Sequence, residues 1–174
     1  MSACATGLCR GLSLPCGSAA AGARVIATAG SDTKLEKARE LGADAVINHT
    51  TQKIADEVKR LTNRRGVEVV FEHVGQATWE NSIRSLCVGG RLVTCGATTG
   101  FDGAINIAYL FTRHLSILGS FMGSKAELLS ALELLRRGLL KPVIDVVLPL
   151  EKCAEAHQRM ENRELFGKIV LRVA

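Results

Sequence analysis

Gly30, Ser31 and Lys34 follow a run of small and β-branched residues, Arg24 to Thr28, and together they suit an anion. The glycine permits a tight turn, the serine offers a hydroxyl, and the lysine sets an ammonium one turn into a helix beginning near Asp32. Backbone N–H groups at a helix N-terminus add partial positive charge. In strand–turn–helix units that take a dinucleotide, an Asp or Glu at the strand end grips the ribose 2′-hydroxyl. Here Thr28 runs into Ala29 and Gly30, with no acid. A 2′-phosphate suits this pattern, so NADP(H) is expected rather than NAD(H). The bland alternative is that Gly30 only turns the chain and Lys34 is a solvated helix residue.

Ligands of open α/β sheets sit beyond the carboxyl ends of the strands, so further candidates follow each apolar run. His49 follows the second run and could pack on an adenosine. His73, Val74 and Gly75 follow the third. Gly96, Ala97, Thr98 and Thr99 follow the fourth, and Phe121, Met122 and Gly123 the fifth. His49 equally fits a polar loop, Gly96 a simple turn, and His73 a structural role as readily as acid–base work. His114 and His157 fall on predicted elements and read as packing or surface residues. There is no G-x-S-x-G elbow, no H-E-x-x-H pair and no Ser–Tyr–Lys set, so no catalytic residue is assigned.

Alternating elements must position these residues. Asp32 to Leu41 reads as a helix with Ser31 or Asp32 as cap, Leu35 and Ala38 inward, and Gly42 ending it. Ala45 to Ile47 is a short strand, and Thr51 to Leu61 a helix with Ile54, Val58 and Leu61 on one face. Val67 to Phe71 is an apolar run typical of a strand covered on both faces. Thr78 to Leu86 reads as helix, Arg91 to Cys95 as strand, Ile105 to Phe111 as a short helix and Leu115 to Leu118 as strand. Ser124 to Arg137 is the clearest helix, with a Ser124–Glu127 capping box and apolar residues at helical spacing. Val143 to Val147, a helix from about Glu151 to Glu161, and Lys168 to Val173 complete the order. Strand–helix alternation implies an α/β fold with a doubly wound parallel sheet.

Five blocks carry a family resemblance: ARVIATAGSDTKLEKARELGADAVINH, RGVEVVFEHVG, GGRLVTCGATTG, LSILGSFMGS and FGKIVL. In that order and spacing, the chain resembles the C-terminal, nucleotide-binding half of the medium-chain dehydrogenase/reductases, the superfamily of zinc-type alcohol dehydrogenases and quinone oxidoreductases. The resemblance implies a Rossmann-like domain over residues 23–174, with C-terminal elements that pack on a catalytic domain. It implies NADP(H)-dependent hydride transfer to a quinone, enone or carbonyl compound. It also implies that His73 and Val74, Gly96 to Thr98, and Phe121 and Met122 line the nicotinamide end. Relatives commonly form homodimers by pairing the strand equivalent to residues 114–120, which here carries no proline or inward charge to protect an edge.

The resemblance stops near Gly22. Residues 1–22 read as an atypical segment, so the sheet is expected to be incomplete at its first strand and at the G-x-G-x-x-G turn. Gly17 to Ala20 resembles only the tail of that turn, and Gly7 to Leu14 is a weak substitute for the strand. Such a chain supports cofactor binding better than turnover. The alternative is a non-catalytic nucleotide-binding or interaction module left after loss of a substrate domain.

Composition narrows the classes. A chain of 174 residues fits one domain with a substantial core. No apolar run is long enough to span a membrane. A net charge of +5 with one Trp, one Tyr and five Phe offers little for base stacking, which argues against nucleic acid. Cys4, Cys9 and Cys16 match no structural zinc spacing, so no metal site is assigned. Cys87, Cys95 and Cys153 form no C-x-x-C pair, and Cys95 and Cys153 are expected to be buried, as in a cytoplasmic protein.

Overall fold

The computed structural model describes residues 2–6, 22–162 and 164–173. The Gly7–Leu14 and Gly17–Ala20 expectations, with Cys9 and Cys16, lie outside them. The main body is a six-stranded, wholly parallel sheet ordered β3-β2-β1-β4-β5-β6. Its strands are β1 Ser2–Thr6, β2 Arg24–Ala29, β3 Ala45–Asn48, β4 Val67–Glu72, β5 Leu86–Thr94 and β6 Ser116–Gly119. The helices between them are α1 Asp32–Glu40, α2 Ile54–Leu61, α3 Trp79–Ser85 and α4 Ile107–Thr112. This strand order places the topological switch between β1 and β4.

The expectation that the sheet lacks its first strand is therefore corrected. Ser2–Thr6 lies in the middle, Ala3 opposite both Val25 of β2 and Val69 of β4. Both neighbours have their facing edges paired, which removes the cost of unsatisfied backbone groups under helices.

Alternation along β2 shows why the sheet is wound on both faces. Val25 and Ala27 are buried with Ala38 of α1 and Ala43. Ile26, between them, is buried with Ile54 and Val58 of α2, Val70 of β4 and Leu92 of β5. Each face thus has its own apolar layer, the arrangement that hydrophobic burial favours for a parallel sheet.

The elements differ from expectation where local side chains intervene. α2 starts at Ile54 rather than Thr51. The Asn48 side chain accepts from the Thr50 N–H, and the Gln52 side chain accepts from the Asn48 N–H, so those residues are held in a turn. β5 begins at Leu86 rather than Arg91, with a register irregularity in its pairing to β4. Cys95 lies beyond β5 and is exposed, contrary to the buried position expected, while Cys153 is half-buried.

The remaining chain forms α5 Lys125–Arg136, β7 Ile144–Pro149, a 3-10 turn at Leu150–Lys152, α6 Cys153–Glu161 and β8 Lys168–Arg172. The α5 capping box forms as expected, Glu127 N–H donating to Ser124 Oγ and Ser124 N–H to Glu127 Oε2. None of its residues is buried, and Leu128 is 60% exposed. β8 pairs in parallel with β7 as a separate two-stranded sheet. Lys37 of α1 sits 5.2 Å from the Phe166 ring, joining this part to the main body.

Two glycines test how tightly the β4–β5 region is packed. Gly66 has φ +86°, and a Cβ there would lie 2.7 Å from the Ser85 carbonyl oxygen and 2.8 Å from the Cys87 nitrogen. Gly89 has φ +74°, but its Cβ would meet nothing within 4 Å. Backbone strain costs either alanine variant about 1–3 kcal/mol. Gly66→Ala adds a backbone collision and should lose clearly more stability than Gly89→Ala in urea unfolding. Equal losses would contradict the close approach of Gly66 to the Ser85 and Cys87 backbone.

Candidate functional site

The carboxyl ends of β2 to β6 carry two clusters of residues. The first lies beyond β2. Ser31 occupies the N-cap position of α1 with extended backbone (φ −148°, ψ 150°), yet its side chain makes no cap bond. Its carbonyl accepts from the Lys34 and Leu35 N–H groups. The remaining first-turn N–H groups have no intrahelical acceptor, the usual condition for holding an anion. Ser31 is exposed and Lys34 half-buried.

The loop beyond β3 closes over this turn. Thr50 Oγ1 donates to the Gly30 carbonyl at 3.0 Å, and a Cβ at Gly30 would stand 3.1 Å from His49 Nε2. A side chain at Gly30 would oblige the His49 ring to shift. Partial burial of the His49 ring, much of which remains exposed, lowers its pKa below the ordinary value. Asp32 is the acid nearest the turn. It accepts from Asn48 Nδ2 at 2.8 Å, which ties it to the end of β3.

The second cluster is organised by Glu72, the last residue of β4, whose importance the sequence reading missed. It is fully buried. Its carboxylate accepts from the Val74 N–H at 2.7 Å, the Gly75 N–H at 3.1 Å, Thr78 Oγ1 at 3.0 Å and Ser82 Oγ. An acid closing the apolar run VEVVFE, with Thr78 and Ser82 on the following segment, was the available signal.

Beside it lies a cleft of about 620 Å³, lined by Gly75, Gln76 and Trp79, by Thr94 to Ala97, by Gly100 to Gly103, and by Gly119 to Phe121. The Ser120 N–H donates to the Thr94 carbonyl and the Cys95 N–H to the Glu72 carbonyl, so the strand ends form a continuous floor. A Cβ at Gly119 would meet nothing within 4 Å, leaving open space where it lines the cleft. Burial, and then the Glu72 charge, raise the Cys95 thiol pKa, which disfavours the reactive thiolate.

The sequence-predicted residues do not all gather in one place. Gly96, Ala97 and Phe121 line the cleft. His73, Val74 and Thr98 are not among its lining residues but form the layer behind it. The Val74 carbonyl accepts from the Thr99 N–H, from Thr99 Oγ1 and from Thr98 Oγ1, and a Cβ at Gly96 would meet the His73 carbonyl at 3.1 Å. Met122 is 83% exposed, with φ 56°, and lies outside the lining. Gly30, Ser31, Lys34 and His49 form the separate cluster near β2 and β3. His114 and His157 are exposed. The first cluster is an exposed helix start with a tight glycine turn, and the second is an open, glycine-rich cleft.

A parallel sheet in this order, with turns gathered at its carboxyl edge, defines a Rossmann-like α/β domain. Residues 14–137 match the model of the zinc-binding dehydrogenase family. The chain belongs to that family and corresponds to the C-terminal half of the medium-chain dehydrogenase/reductases. Quinone oxidoreductase-like protein 2 of Rattus norvegicus is 31% identical over 158 residues, which are 86% of this chain and 45% of that protein. A crystal structure of an NAD-dependent alcohol dehydrogenase is 40% identical with a TM-score of 0.90, over 99% of this chain and 51% of the other. A 2-octenoyl-CoA carboxylase reductase, solved with NADP and 2-octenoyl-CoA, is 28% identical with a TM-score of 0.86, over 98% of this chain and 42% of the other. The chain spans about half the length of the curated relatives it matches. The family name mentions zinc, but among the described residues no three His, Cys, Asp or Glu side chains converge as a metal site. Nor is any helix among them long and apolar enough to cross a membrane.

The His49 environment yields a pH test. With its folded-state pKa below 6.5, the unfolded chain binds this proton more readily than the native chain. The stability linked to His49 is therefore full above pH 6.5, falls as the pH drops towards the folded-state pKa, and is level below it. An NMR titration of the imidazole should show a midpoint below 6.5. A midpoint at or above that value would contradict the packing of His49 on Gly30.

Proposed function

We propose that this chain is the NADP(H)-binding domain of an oxidoreductase that transfers hydride between the cofactor and a quinone, enone or carbonyl compound. What favours NADP(H) is the Gly30–Ser31–Lys34 turn, where the strand ends without an acid and the nearest one, Asp32, is engaged by Asn48. The names of the similar proteins divide between NAD and NADP, and this local chemistry favours NADP(H).

A bound reduced nicotinamide would supply the hydride. The residues of this chain would bind and orient it. Lys34 and Ser31 would take the 2′-phosphate, and His49 would pack beside the adenosine. The peptide groups near Gly96 and Phe121 would face the carboxamide, with Ala97 beside them. We assign His73, Val74 and Thr98 to the layer supporting this wall, and Met122 to its outer rim. The proposed domain extends beyond residues 23–174 to include Ser2–Thr6, which completes the sheet. We also propose a small-molecule substrate and a cytoplasmic location, the latter because the free thiols of Cys87, Cys95 and Cys153 suit a reducing compartment.

We further propose a homodimer through β6. This strand is the edge of the sheet, each of its residues is exposed, and Ile117 and Leu118 are 37% and 46% exposed. An unprotected edge of this kind pairs readily with its symmetry mate.

Two measurements test these proposals. Lys34→Ala should weaken NADPH more than NADH, because losing a charge-assisted contact costs about 1.5–3 kcal/mol, roughly ten-fold or more in affinity. Equal losses for both cofactors in calorimetry would reject the 2′-phosphate assignment. Ile117→Pro removes a ladder donor and should convert the dimer to monomer in light scattering. A wild-type monomer at tens of micromolar, unchanged by the substitution, would rule out edge pairing.

A further inference from the structure

We propose that Glu72 is a positioning residue for the nicotinamide end of the site: its buried carboxylate fixes the His73–Thr78 turn, and through that turn the adjoining Ala97–Gly100 wall of the cleft. This inference rests on reading the clefted cluster as one end of a dinucleotide site.

A carboxylate at full burial is costly unless its oxygens are occupied by donors. Those donors come from the turn that follows β4 and from the start of α3. The Val74 and Gly75 N–H groups point back to one oxygen, Thr78 Oγ1 lies 3.0 Å from each oxygen, and Ser82 Oγ reaches the other. Thr78 holds the N-cap position of α3, yet its side chain makes no cap bond. A hydroxyl suited to capping is instead directed to Glu72.

Those bonds determine where the cleft wall stands. Gly75 has φ +90°, and its missing Cβ lets the turn lie against Gly100, whose carbonyl oxygen would be only 2.7 Å from such an atom. The Val74 carbonyl then receives the Thr99 N–H at 2.9 Å and Thr99 Oγ1 at 2.8 Å. Trp79, the first residue of α3, lines the cleft next to Gly75 and Gln76. One carboxylate thereby sets the position of both the 74–79 and 97–100 walls. Asn or Gln in its place would present an amide NH2 to groups that are themselves donors.

The test separates the two ends of the site. Trp79 is the single tryptophan of the chain and lines the cleft, so energy transfer from its emission to NADPH reports occupancy of the nicotinamide end. Adenosine 2′,5′-bisphosphate probes only the Gly30–Lys34 end. In calorimetry, Glu72→Gln should weaken NADPH about ten-fold, the effect of losing hydrogen bonds to a charged group. It should also diminish the energy transfer and leave bisphosphate affinity within about two-fold. A general loss of structure would weaken both ligands together. Unchanged NADPH binding, or equal losses for both ligands, would overturn the inference. If circular dichroism shows Glu72→Gln to be unfolded, Thr78→Val carries the test. It should weaken NADPH about three-fold with bisphosphate unchanged, and equal or absent effects would overturn the inference. A wild-type chain that binds neither ligand would instead reject the dinucleotide reading itself.

Discussion

Backbone pairing along both edges of β1 joins the two halves of the main sheet. On one side stand β2 and β3, on the other β4, β5 and β6, and among the described residues Ser2–Thr6 is the strand that bridges them. Its parallel register, Cys4 opposite Ile26 and Val70, sets how far the carboxyl ends of β2 and β4 stand from one another. The turn bearing Ser31 and the turn bearing Gly75 are spaced by that register. A dinucleotide bound across the edge would span the same interval, so the geometry of the site depends on this five-residue strand.

The two ends of the candidate site are built by different physics. The Gly30 turn is polar and accessible, and an anion there would meet a lysine and a helix start. The cleft end is positioned by a buried carboxylate satisfied by turn N–H groups and hydroxyls, with apolar layers beneath formed by Val70, Ile83 and Leu92. A satisfied polar cluster of this type specifies one arrangement, because breaking any member leaves a buried group without its partner. The floor is tied together by these hydrogen bonds, while Phe101 and Phe121 at the cleft remain 96% and 91% exposed.

Much of the fold was legible in the sequence. The apolar run Val67 to Phe71, the periodicity of Ile54 and Val58, and the Ser124–Glu127 box each name an element that the structure contains. Local chemistry and hydrophobic period decide these elements, so a single chain suffices to read them. β1 was not legible. SACAT carries no β-branched run or alternation, and its strand state depends on pairing with residues more than twenty positions away. Gly96, Ala97 and Phe121 reached the cleft because residues after strand ends must lie at the carboxyl edge. Glu72 escaped notice because its role requires knowing that Ser82 folds back over it, a tertiary fact with only a faint sequence trace. The exposed leucines of α5 mark the opposite failure: the helical period was correct, but burial did not follow from it.

One dinucleotide bound across the carboxyl edge would touch both clusters at once. Hydrogen–deuterium exchange with and without NADPH tests it most directly. Protection should rise together in peptides covering residues 28–35, 72–79, 94–100 and 119–121, with β7 and β8 unchanged. Protection confined to one cluster, or appearing chiefly at β7 and β8, would contradict it.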